Sequence, residues 1–163
     1  LSRPQKDALA EFLTHLHSTT FLTPTLFVNV RYTRPEPDGD FYLAGKPRQP
    51  NAPNRILAMV RTGPTRPKEK YDQMAVKIQH KWYEVVNDPN IAVKLGNMTE
   101  REERRHKKLH FVVFHPMIAA VENGAIISGV SHGSSCHLYI MRVLAYFGPN
   151  LYLLPPDITG CHS

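Results

Sequence analysis

The stretch RILAMVRTGPTRPKEKYDQMAVKIQHKWYEVV, Arg55 to Val86, decides the fold. Ile56, Leu57, Ala58, Met59 and Val60 form an apolar run too short for a helix and bounded by polar residues, which reads as a buried strand. Arg61 ends it. Thr62, Gly63, Pro64 and Thr65 make a turn, Arg66 follows, and Pro67 stands where a first helical turn tolerates a missing N–H. Tyr71, Met74, Ala75, Ile78, Trp82 and Val85 then recur at helical spacing, while Lys68, Glu69, Lys70, Asp72, Lys77 and Lys81 stay largely off that stripe. Two guanidinium groups are thereby predicted at the carboxyl end of a strand and the amino end of a helix. Open sheets place ligands there, and a helix amino terminus favours an anion. Arginine suits the task because its planar fork holds a carboxylate at two points. The plainer reading of Arg61 and Arg66 is that of solvated loop residues.

Outward from this stretch, Leu1 to His17 reads as a helix with Ser2 and Gln5 as a capping box and Leu9, Phe12, Leu13 and Leu16 as its apolar face. His15 and His17 fall near its end, where a histidine ordinarily complements the helix dipole. Leu26 to Tyr32 is a strand. Arg34 to Gly39 is a proline-rich turn, Phe41 to Leu43 a short strand, and Lys46 to Asn54 a loop with three prolines. Leu109 to Phe114 is a further strand, ended by Pro116. Strand, helix and strand from Arg55 to Phe114 make one β-α-β unit. The helix to His17 with the strand to Tyr32 makes a second lacking its opening strand.

With 163 residues, the chain suffices for one domain with a sizeable core. Hydrophobic residues at 42% and charged residues at 21% are ordinary for a soluble globular protein. No apolar run approaches a membrane span and no signal peptide opens the chain, so the expectation is a cytoplasmic protein without a membrane partner. Cys136 and Cys161 are too few for a disulfide framework. The net charge is +6, and much of the positive charge is concentrated in Arg101, Arg104, Arg105, Lys107 and Lys108. Glu100, Glu102 and Glu103 interleave with them, which reads as a solvated helix face or linker rather than a nucleic-acid surface.

These residues resemble the tautomerase superfamily, in the branch of cis-3-chloroacrylic acid dehalogenase and its fungal relatives. The resemblance runs from Leu1 to about Gly129. It is carried by the helix ending in His17, the strand Phe27-Val28-Asn29-Val30-Arg31-Tyr32, the segment Val60-Arg61-Thr62-Gly63-Pro64-Thr65-Arg66, and Ala120-Val121-Glu122-Asn123-Gly124. It implies an α/β (α+β) fold of duplicated β-α-β units, a four-stranded sheet here lacking its first strand, and a homotrimer. A tautomerase-like domain would span residues 1–127, with halves 1–54 and 55–127, followed by a divergent tail, 128–163. The activity implied is proton transfer on a small unsaturated or 2-keto carboxylic acid, with hydratase or dehalogenase side activity and no metal or organic cofactor. His17, Arg61 and Arg66 would hold the substrate carboxylate, and Glu122 would act on water or a proton.

The chain also departs from the family pattern. Two extra residues separate the arginines, and Val113 falls where the family has an active-site tyrosine. Family catalysis depends on an amino-terminal proline whose secondary amine moves protons, whereas residue 1 here is Leu and Pro4 has an amide nitrogen. As written, the chain is expected to be inactive as a proline-dependent tautomerase. The alternative is a non-catalytic small-anion-binding or oligomeric structural member of the same fold.

Three rivals draw on other residues. Gly129-Val130-Ser131-His132-Gly133 matches a nucleophile elbow, with Asp157 and His162 as downstream partners, but too little chain follows for the rest of such a sheet. His132, Cys136 and His137 carry zinc-ligand chemistry without a matching spacing. Arg101 to Lys108 could meet nucleic acid, which salt-dependent DNA binding would reveal.

Overall fold

A computed structural model of the chain describes residues 1–33, 41–48, 54–92, 96, 98–122, 125–128 and 141–146. The first helix, α1, is Arg3–Phe21. Ser2 and Gln5 form the expected capping box, the Gln5 N–H donating to Ser2 Oγ at 3.2 Å and the Ser2 N–H to Gln5 Oε1 at 2.9 Å. The helix runs one turn beyond His17 and closes on Leu22 in the left-handed region, φ 52°. His17 is therefore not in the last turn, as expected from sequence, but on the buried face.

A single 3-10 turn, Thr25–Phe27, leads into β1, Val28–Thr33. Two short strands, β2 (Phe41–Leu43) and β3 (Lys46–Arg48), pair as an antiparallel hairpin. This corrects the reading of the stretch from Lys46 as loop. The hairpin forms because Ala44 (φ 52°) and Gly45 (φ 73°) both adopt the left-handed conformation that a two-residue turn needs. β4 is Asn54–Val60 and α2 is Lys68–Asn87, as the opening stretch predicts. Then come α3 (Glu100–Lys107), β5 (Leu109–Pro116), the hairpin strands β6 (Ala119–Glu122) and β7 (Ala125–Ser128), and β8 (Met141–Tyr146).

The chain is thus of mixed α and β class, with a four-stranded sheet in the order β1-β8-β4-β5. β4 and β5 are parallel, as are β1 and β8, while β8 and β4 are antiparallel. The sequence left the place beside β1 empty. In the structure β8, from the segment read as a divergent tail, lies between β1 and β4 and pairs with both, so neither inner edge is left without ladder hydrogen bonds.

Along β4 the buried residues alternate, Asn54, Ile56, Ala58 and Val60, with Met59 exposed on the opposite face. The buried side meets Leu9, Leu13 and Leu16 of α1 and Tyr71, Met74, Ile78, Trp82 and Val85 of α2 in one apolar cluster. Polar ties hold its margins. Trp82 Nε1 donates to the Lys107 carbonyl at 2.7 Å, and Asn54 Nδ2 donates to the carbonyls of His106 (2.6 Å) and Lys108 (3.0 Å), fixing the end of α3 to the start of β4. Within α3, Glu100 pairs with Arg104 and Glu103 with Lys107, so part of the charge-dense segment is matched inside its own helix. Among the described residues, no helix is long and apolar enough to cross a membrane.

Candidate functional site

β4 delivers Arg61 at its carboxyl end. The chain then turns on itself, the Arg66 N–H donating to the Gly63 carbonyl at 2.9 Å, and α2 begins one residue after Pro67. Neither arginine is a solvated loop residue: Arg61 and Arg66 are each 5% exposed. Burial of a guanidinium requires polar company, and the end of α1 with the residues just after it supplies some. Arg66 Nη2 donates to Thr23 Oγ1 at 3.1 Å, and Arg66 Cζ lies 4.6 Å from the centre of the Phe21 ring, within cation–π range.

The His17 ring lies 5.1 Å from that same Phe21 ring and is 2% exposed. Burial, with a smaller contribution from the Arg66 charge, lowers its pKa to about 4. It is therefore a neutral imidazole at pH 7. Its Nδ1 is buried and has no hydrogen-bond partner among the described residues.

Tyr71, in the first turn of α2, completes the cluster. Its hydroxyl donates to the Arg61 carbonyl at 2.5 Å and takes a hydrogen bond from the Arg66 side chain. Burial raises its pKa, and the Arg66 charge partly opposes that rise. Its ring sits between Phe21 (5.0 Å) and Phe114 (5.1 Å). The sequence reading used Tyr71 only as part of the apolar stripe. What could have marked it is the phenol at the helix position nearest the two arginines.

A cavity of about 560 Å³ opens beside this cluster, lined by Val60, Thr62, Gly63, Arg66, Tyr71 and Ala75, by Lys68 and Asp72 at the start of α2, and by Val112, Val113, Phe114 and Pro116. Its size is within the usual range for small-molecule sites. Tyr71 and Val113 both line it.

The structure thus brings His17 and Arg66 together and joins Arg61 to them through its backbone and Tyr71. Glu122 is the last residue of β6, opposite Ala125, in a hairpin hydrogen-bonded to no other described strand. Its side chain lies outside the described residues, as do the Gly129–Gly133 motif and His132, Cys136 and His137. Chemically, the cluster offers fixed positive charge, a neutral imidazole and a phenol beside an apolar cavity. A scan against protein-family models and searches of curated proteins and of solved structures each return no match to this chain.

Proposed function

We propose that the chain binds a small carboxylate at the end of β4 and belongs to the tautomerase type of protein, whose chemistry is proton transfer on an unsaturated or 2-keto acid. The observation that carries the carboxylate reading is the burial of Arg61 and Arg66, at 5% exposure each, at the carboxyl end of one strand, with His17 beside Arg66. A buried guanidinium next to an open cavity attracts an anion more strongly than a solvated one, because less water screens the charge. Arg66 would meet the carboxylate, Tyr71 would keep the Arg66 fork and the Arg61 peptide in register, and Arg61 and neutral His17 would help hold the anion from the buried cluster. Glu122 remains the proposed group for water or proton handling. A homotrimer belongs to the same reading, and light scattering on the purified protein tests it.

One observation favours the second reading, a non-catalytic anion binder on the same fold. In a β-α-β unit the opening strand pairs parallel with the closing one, and the strand parallel to β1 is β8, whose backbone nitrogens are amides within the chain. An amide has no basic lone pair for amine-type proton transfer. Enolisation of phenylpyruvate separates the two readings. Activity that is lost in Arg66→Ala supports the tautomerase. Carboxylate binding without enolisation supports the binder, and neither binding nor activity in the folded protein removes both.

A further inference from the structure

The cavity beside Arg66 does not end at the first turn of α2. A smaller one of about 140 Å³ lies next to it, lined by Val76, Gln79, Leu109 and Phe111 together with Ala75 and Val112, which line the larger cavity as well. Both therefore belong to one seam between α2 and β5, an outer strand of the sheet. Tyr71, Ala75 and Gln79 follow one another at intervals of four along α2, a single ridge. From Tyr71 to Gln79 the helix rises about 12 Å, at ~1.5 Å per residue.

Polarity changes along that length. The cations lining the seam among the described residues, Arg66 and Lys68, stand at its start, and Lys68 is held by Asp72 at 2.6 Å. Further on, Ala75, Val76, Leu109, Phe111 and Val112 offer an apolar path with Gln79 as its one polar side chain. Val76 and Phe111 are themselves part-exposed, at 52% and 41%, so an apolar chain laid on them would remove apolar surface from water. A three-carbon acid would satisfy Arg66 and leave the path in water.

We infer that the ligand of this site is a carboxylate with an extended apolar body, its carboxylate at Arg66 and its chain along the α2–β5 seam. The inference rests on the carboxylate reading above and gives it a substrate class. With C–C bonds of ~1.5 Å in a zigzag that advances about 1.25 Å per bond, the seam takes a chain of up to about ten carbons.

The test is a calorimetric titration of the intact chain at pH 7 with propanoate, hexanoate and octanoate, repeated on Ala75→Leu, which enlarges a side chain that lines both cavities. The expected result is a dissociation constant that falls about threefold to fourfold per added methylene. Ala75→Leu should lose octanoate selectively over propanoate. Equal affinity for propanoate and octanoate in the unmodified protein overturns the inference. If propanoate binding is then still abolished by Arg66→Ala, the carboxylate reading survives without its substrate class. If Arg66→Ala changes the binding of neither acid, the carboxylate reading falls too.

Discussion

The Tyr71 hydroxyl donates to the backbone carbonyl of Arg61 across 2.5 Å while the same phenol takes a hydrogen bond from Arg66. One side chain of α2 therefore ties the end of β4 to the guanidinium five residues later. The loop between the arginines is held from both ends. Tyr71→Phe keeps the ring between Phe21 and Phe114 but leaves a buried carbonyl without this donor, a loss of about 1–3 kcal/mol. At ~2–4 °C per kcal/mol for a chain of this size, thermal unfolding should show a fall of several degrees. Unchanged melting would mean that the hydroxyl is not holding the loop.

His17 makes stability depend on pH. Its pKa is lowered to about 4 in the folded protein from an ordinary value of 6.5, so between these values the unfolded chain binds more protons than the folded one. The stabilisation is fully present above about pH 6.5 and is lost as pH falls towards 4. Below 4 it changes no further. The full span amounts to about 3 kcal/mol at ~1.4 kcal/mol per unit. Urea denaturation between pH 4 and 7 should show this slope, and His17→Gln should flatten it. Equal slopes in both proteins would remove His17 as the cause.

β8 lies between β1 and β4 and pairs with both. A proline there removes a ladder hydrogen bond and does not fit an inner strand. Leu144→Pro should therefore expose the amides of β1 and β4 together to hydrogen exchange, with protection factors falling at least tenfold in Val28–Thr33. Protection of β1 that survives the substitution would show that β8 is not its partner in solution.

The parts of the molecule legible in the sequence are those governed by local signals. The strand before Arg61, the turn through Gly63, and the α2 stripe all follow from period and punctuation within about 30 residues. The Ser2–Gln5 cap is equally local. Position did not reveal burial: Arg61 and Arg66 stand in a polar loop by composition and are sealed only because α1 and α2 close over them. Tyr71 fits an apolar stripe, and its second role exists only once Arg66 folds back onto it. The pairing of β1 with β8 joins residues 28–33 to 141–146, and nothing local records such a contact. Lys46–Arg48 was obscured by Pro47 and by an Ala44-Gly45 turn, which lacks the asparagine or aspartate that ordinarily signals a hairpin.

The central claim is that buried Arg66 holds a carboxylate, and titration of octanoate into the intact chain and into Arg66→Ala tests it directly. Loss of a charged hydrogen bond of about 1.5–3 kcal/mol predicts affinity weakened roughly tenfold to a hundredfold in the variant, with circular dichroism confirming that it is folded. Equal affinity in the two folded proteins would contradict the account.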